Sequence, residues 1–195
     1  MKFQRIHIIG VILFSSTLLA QTGPSRSSGI YATSSDYKNN QLEYDGVCGS
    51  KSHKLELHDV FNRPYIDLID ESQKHRIVKA TMYGVHACDG YDYRFYANLE
   101  YRLLEAKEAY IYMRETHLSR YQSGRITTYY FSIGPDGHLL KLTIDNLKRA
   151  YLGNSLFLDS LDRSIDVHKK PEQYDESHKM FRVNYLLRAS HTPES

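Results

Sequence analysis

RITTYYFSI (125–133), GPDG (134–137) and HLLKLTIDNLKRAYLGN (138–154) follow one another, and the spacing of their apolar residues changes across the turn. In the first stretch Tyr129, Phe131 and Ile133 alternate with Thr128, Tyr130 and Ser132, the period of two that a pleated strand requires. Pro135-Asp136-Gly137 turns the chain into Leu139–Leu142, because proline pre-sets one turn dihedral and glycine supplies the other. Thr143 can then cap a helix in which Ile144, Leu147 and Tyr151 share a face, and Gly153 is a natural stop. Asn154 can cap a second helix with Phe157, Leu158, Leu161 and Ile165 on its apolar side. Tyr174, Phe181 and Tyr185 recur at helical spacing, which predicts a third helix, although Val183-Asn184-Tyr185 also suits a strand.

Upstream the period stays near two. Lys54–His58 alternates around Leu55 and Leu57, and Tyr65–Ile69 and His75–Ala80 flank a turn at Asp70–Gln73. Tyr83–His86 and Tyr93–Tyr96 flank Asp89-Gly90, a favoured turn dipeptide. Tyr101–Leu104 and Ala109–Arg114 read as a pair or as one bulged strand. Strands first and helices last predict an α+β fold: an antiparallel, strongly bent or barrel-like sheet followed by two or three C-terminal helices.

The N-terminus carries Lys2 and Arg5 before an uncharged, mostly apolar run from Ile6 to Leu19, then Ala20. That is the pattern of a signal peptide cut after residue 20, and the run is shorter than the roughly 20 residues a spanning helix needs. No Cys follows the cut, so a lipid anchor is disfavoured; the expected location is periplasmic or secreted, with no stable membrane anchor. Residues 21–29 read as a flexible lead-in, 30–188 as a single domain and 189–195 as a tail. The 195 residues are 41% hydrophobic and 25% charged, a folded composition. The formal charge of +2 vanishes when Lys2 and Arg5 are removed, which disfavours a nucleic-acid partner, since phosphate binding needs clustered positive charge.

Gly29-Ile30-Tyr31 with Asp36-Tyr37, followed by the Tyr83-Gly84, Asp89-Gly90 and Tyr93-Arg94-Phe95 hairpin, resembles a group of small exported bacterial proteins of unknown function. The resemblance covers most of residues 29–165 and implies an exported, strand-rich domain. It implies no activity.

Chemical motifs are sparse. Cys48 and Cys88 are the two cysteines, and in an oxidising compartment such a pair usually forms a disulfide. The alternatives are free thiols or a metal site of Cys48, His53, His86 and Cys88, a set zinc accepts but not at finger spacing. The second half of a GIY-YIG nuclease signature is missing, since Tyr44-Asp45-Gly46 is the only nearby triplet. A calcium loop at Asp89 fails because Tyr91 and Arg94 occupy positions that need an oxygen ligand and a glycine. Asp159, Asp162 and Asp166 form a stripe of the kind that is ordinarily a solvated helix face. The histidines are scattered, and no H-E-x-x-H, G-x-S-x-G, P-loop or dinucleotide fingerprint occurs. A Ser–His–Asp triad could arise only by assembly in space.

The unusual feature is 17 Tyr beside 7 Phe and no Trp. Tyrosine fits a half-buried pleated surface, and its ring plus hydroxyl also suits protein, peptide or glycan contact. In Tyr91–Tyr96 alternation predicts Tyr93 and Phe95 inward and Arg94 with Tyr96 outward, so Arg94, Tyr96 and Tyr91 are the candidate binding residues. The expected function is a non-enzymatic exported binding or interaction domain without a cofactor, its partner an unknown protein, peptide or glycan. The alternative is a small periplasmic or secreted hydrolase, and a lesser one a metal-binding domain.

Overall fold

A computed structural model describes residues 26–57, 62–117, 124–164 and 170–191. The expected signal segment, most of the lead-in, His58, Ile165, Asp166 and His168 lie outside the described residues. In chain order the strands are β1 (Ser27–Tyr31), β2 (Glu43–Val47), β3 (Lys54–Glu56), β4 (Tyr65–Asp70), β5 (Gln73–Val78), β6 (Gly84–His86), β7 (Asp92–Tyr96), β8 (Leu99–Ala106), β9 (Tyr110–His117), β10 (Arg125–Ser132), β11 (Leu140–Lys141), β12 (Tyr174–Asp175) and β13 (Met180–Phe181). The helices are α1 (Ser34–Lys38), α2 (Ile144–Ala150), α3 (Ser155–Ser164) and α4 (Arg182–His191). The fold is α+β. An antiparallel sheet runs β11-β10-β9-β8-β7-β6-β1-β2, a second runs β3-β4-β5, and β12 pairs β13. The large sheet is open, with β11 and β2 at its edges, and does not close into a barrel.

Turn chemistry sets the registers. Glu71-Ser72 and Ala97-Asn98 adopt positive φ at both central positions of two-residue hairpins, the geometry that matches strand twist. Asp89-Gly90 turns β6 into β7, with Gly90 at φ +84° and Asp89 Oδ1 accepting from Tyr91 N–H. β8 and β9 form a pair with a bulge between Leu103 and Glu105. Thr143 caps α2 by accepting from Asn146 N–H, and Asn154 Oδ1 accepts from Phe157 N–H at the start of α3.

Three segments differ from the expectations, one of them the tail, whose residues 189–191 are the last turn of α4. Residues 27–29, read as lead-in, belong to β1, which lies between β2 and β6 with Ser28 fully buried. Small residues there permit close approach: a Cβ on Gly29 would come 3.0 Å from the Glu43 carbonyl oxygen. The third helix begins at Arg182, not near Tyr174, because Tyr174 and Phe181 face each other across a hairpin. The Asp175 carboxylate accepts from the N–H groups of Ser177 and His178 and so closes that turn. Val183-Asn184-Tyr185 is helical, and Asn184 binds both backbone groups of Ala109 and the Glu105 carboxylate. Those buried bonds override a local strand preference.

One face of the large sheet holds two cores. At the β9–β10 end Ile111 and Phe131 pack with Leu147, Phe157, Leu161, Val183 and Leu187 from α2, α3 and α4. At the other end Ile30, Val85, Tyr93 and Phe95 pack against Ile66 and Leu68 of the three-stranded sheet. Tyr93 and Phe95 therefore point inward, as alternation requires.

Candidate functional site

The opposite face of the large sheet is tyrosine-rich, and register explains why. Tyr31 pairs Gly84, Gly84 pairs Arg94, and Arg94 pairs Tyr101. Leu103 pairs Tyr112, Tyr112 pairs Tyr130, and Tyr110 pairs Ser132. Cross-strand partners share a face, so these side chains converge with those of Asp92, Tyr96 and His86. Tyr37 on α1 lies edge-on to Tyr31 at 5.4 Å and stacks on Tyr83 at 5.4 Å. Tyr101 and Tyr130 meet edge to face at 4.9 Å. Tyr31, Tyr101 and Tyr112 are buried, whereas Tyr37, Tyr83, Tyr96, Tyr110 and Tyr130 are partly exposed and form a rim.

Arg94 sits at the centre of this layer and is only 7% exposed. The expected exposed binding arginine is thus corrected: Arg94 does lie opposite Phe95, but that face is covered. Its Nη1 lies 3.4 Å from the Tyr112 hydroxyl and 3.3 Å from Ser132 Oγ, and its Nη2 donates to the Gly137 carbonyl at 2.9 Å. Its Cζ is 5.5 Å from the ring centres of Tyr83 and Tyr96 and 5.8 Å from that of Tyr112, within cation–π range. Tyr96 keeps a half-exposed place beside Arg94, and its hydroxyl lies 3.0 Å from His138 Nδ1. Tyr91 does not join them. Its ring, 45% exposed, lies under the Arg102 guanidinium at 4.4 Å, on the face shared with Tyr93.

At the other side of the layer His86 Nδ1 lies 2.8 Å from Asp92 Oδ1. A carboxylate only accepts, so Nδ1 carries the proton. The Tyr31 hydroxyl is 3.2 Å from both Asp92 Oδ1 and Asn40 Oδ1. Burial pushes the phenols of Tyr31, Tyr37, Tyr83, Tyr101 and Tyr110 above the ordinary range, and the Asp92 charge adds to the effect at Tyr31 and Tyr37. These hydroxyls remain protonated and able to donate hydrogen bonds.

Cys48 and Cys88 form a disulfide, with Cα atoms 5.6 Å apart. It ties the end of β2 to the turn after β6. The four-residue metal set does not assemble: both sulfurs are spent, and His86 and His53 lie on opposite faces of the sheet, His86 with Asp92 and His53 with Ser28. No group of three or more metal-ligating side chains occurs among the described residues.

His53 makes a different constellation. Ser28 Oγ lies 2.9 Å from Nε2, and Nδ1 lies 3.5 Å from Asp70 Oδ1. The connectivity is that of a Ser–His–Asp triad, assembled from β1, the segment before β3 and the end of β4. No local motif announces it. Ser28 has no exposed surface and His53 only 4%, so no substrate carbonyl can reach Ser28 Oγ in this conformation. The three groups pin the small sheet to β1 and β2. A Cβ on Gly46 would fall 2.1 Å from the His53 ring, which shows how closely that ring lies on β2.

Asp159 is exposed and Asp162 pairs with Lys148 on the surface. A cavity near the C-terminal hairpin is lined by Gln173, Tyr174, Asp175, Glu176 and Arg182, but Asp175 is held by Ser177 and His178, and Glu176 by Lys179. No helix among the described residues is long and apolar enough to cross a membrane. No family model, no curated protein and no solved structure matches the chain.

Proposed function

We propose that the protein is an exported, non-enzymatic binding domain whose contact surface is the tyrosine rim around Arg94. The observation that carries this reading is the placement of Tyr37, Tyr83, Tyr96, Tyr110 and Tyr130, all partly exposed, on one side of the sheet, with Tyr83 and Tyr96 against the fixed Arg94 guanidinium. Rings held this way lose little freedom when a ligand arrives, and each offers an apolar face and a hydroxyl. Export is supported by the Lys2–Ala20 pattern and by the disulfide, which persists in oxidising compartments. It also agrees with the resemblance to small exported bacterial proteins. The ligand belongs to the protein, peptide or glycan class.

The hydrolase reading ranks second. Ser28, His53 and Asp70 have the right connectivity, but their burial denies substrate access. Probing peptide and glycan arrays with residues 21–195 tests the first reading. Binding by the wild-type protein, weakened by Tyr96→Ala and Tyr130→Ala without loss of folding, is expected. Equal signals from both variants and wild type would overturn the rim as the contact surface.

A further inference from the structure

β2 is an edge of the large sheet, and none of its five residues is buried. Its ladder runs to β1 alone and is broken by a register shift between Ser28 and Ile30. Neither apolar core includes a β2 residue. Gly46 lies under the His53 ring without a side chain of its own, and Tyr44 meets His75 at 5.8 Å while 44% exposed. The covalent tie is at the C-terminal end. Cys48 N–H donates to the Arg26 carbonyl at 2.8 Å, and Cys48 is bonded to Cys88, 40 residues further on. Cys88 is exposed beside the Asp89-Gly90 turn, where a thiolate can reach it. β2 also holds the far end of the connection that carries α1. No residue of α1 is buried. Tyr37 keeps it on the sheet, its ring 5.4 Å from Tyr31, 5.4 Å from Tyr83 and 6.3 Å from Tyr110, and Asn40 Oδ1 accepts from the Tyr31 hydroxyl.

We propose that Cys48–Cys88 is a redox latch: a dithiol reductant that opens it releases β2 from β1 and, through residues 32–42, loosens Tyr37 on the rim, while the rest of the fold stays closed. A thiolate of the dithiol attacks Cys88 Sγ, and Cys48 leaves as a thiolate that takes up a proton. The second thiol then closes the reagent's own disulfide and releases Cys88, so two electrons and two protons pass to the protein and one disulfide forms in the reagent. The cross-link restricts the states in which β2 has left β1, so its loss favours them. Those states give up little packing, because β2 buries no side chain in either core, and local opening is drawn from such segments. β1 stays in place, since β6 holds its other edge and Ile30 sits in the core. The consequence for recognition rests on the proposed binding role, because Tyr37 is one of the rim rings; the latch itself does not rest on it.

Hydrogen exchange read by mass spectrometry on residues 21–195, with and without dithiothreitol, tests the latch. In the reduced protein the amides of the β1–β2 ladder and of residues 34–41 should exchange faster by about tenfold or more, while those of β7 to β10 and of α4 keep their rates. Reoxidation should restore the protection. Cys48→Ser combined with Cys88→Ser should exchange like the reduced wild type; should that variant fail to fold, the reagent experiment decides alone. Unchanged exchange in residues 43–47 after reduction overturns the proposal. So does protection lost across β7 to β10 and α4, which would make the bond a support of the whole fold. A disulfide that dithiothreitol reaches only after denaturant is added overturns it too. Faster exchange in β2 with no ligand found on the arrays leaves the latch standing without the binding role. An array ligand bound through Tyr96 and Tyr130, with exchange unchanged by reduction, leaves the binding role standing without the latch.

Discussion

Replacing Gly46 with alanine should unfold the small sheet's anchorage without touching any apolar core residue. The added Cβ would stand 2.1 Å from His53 Cγ and 2.3 Å from Nδ1, far inside van der Waals contact, and His53 is buried, only 4% exposed. Either β2 moves out or the ring rotates. In both cases the bond from Ser28 and the contact with Asp70 are strained or lost. Overpacking of this kind costs about 1–3 kcal/mol, and the loss of one buried hydrogen bond adds about 1 kcal/mol. The expected destabilisation of about 2–4 kcal/mol should lower Tm by roughly 5–15 °C at this size, read by circular dichroism during heating. Two controls separate the causes. Ser28→Ala removes the hydrogen bond alone and should cost about 1–2 kcal/mol. Gly49→Ala meets nothing within 4 Å but sits at φ +83°, so only backbone strain of about 1 kcal/mol remains. A Gly46→Ala protein as stable as wild type would refute the placement of His53 on β2. Labelling of Ser28 by a fluorophosphonate in the folded protein would refute its role as a pin.

Other outcomes follow from the same geometry. Reduction of Cys48–Cys88, or replacement of both by alanine, should cost about 3–4 kcal/mol in the chain-entropy model because it frees a loop closed across 40 residues; denaturant unfolding with and without reductant measures it. Phe95→Ala should cost about 3–5 kcal/mol as a core truncation, and Arg94→Ala should also destabilise, by opening a void among Tyr83, Tyr96 and Tyr112; a silent Arg94→Ala in thermal melts would contradict its burial. Phenols with raised folded-state pKa keep their protons above pH 10 while the unfolded chain loses them, so stability is present below that pH and falls as pH rises through it. A near-ultraviolet titration should show part of the tyrosine ionising only on unfolding.

The fold was legible where one face meets a core and the other does not compete. In 125–133 the alternation of Tyr129 and Phe131 with Thr128 and Tyr130 survives intact as β10, and the caps at Thr143 and Asn154 depend on local hydrogen bonds that the sequence states outright. Residues 174–185 were not legible in this way, because a helical spacing of aromatic rings is also produced by a hairpin followed by a helix. What decides between them is Asn184 reaching Ala109 and Glu105, residues 75 and 79 positions away in the chain. The two serines and the glycine of 27–29 read as a linker by composition; their smallness instead admits a strand between two neighbours.

The site shows the same division between local and distant causes. Alternation fixed which residues of Tyr91–Tyr96 share a face, and it held. It cannot say what lies over each face. Arg94 reads as a surface residue because arginine opposite phenylalanine on a strand ordinarily meets water. Here Tyr112 and Ser132 arrive from β9 and β10, and the Gly137 carbonyl from the loop beyond, to enclose it. An abundance of tyrosine makes that possible: a second layer built of leucine could not accept a guanidinium, whereas hydroxyls and ring faces can solvate one. The tyrosine content thus bears first on how this sheet covers both its faces. In the proposed binding role it bears next on recognition, through the ring faces and hydroxyls that Tyr37, Tyr83, Tyr96, Tyr110 and Tyr130 leave partly exposed.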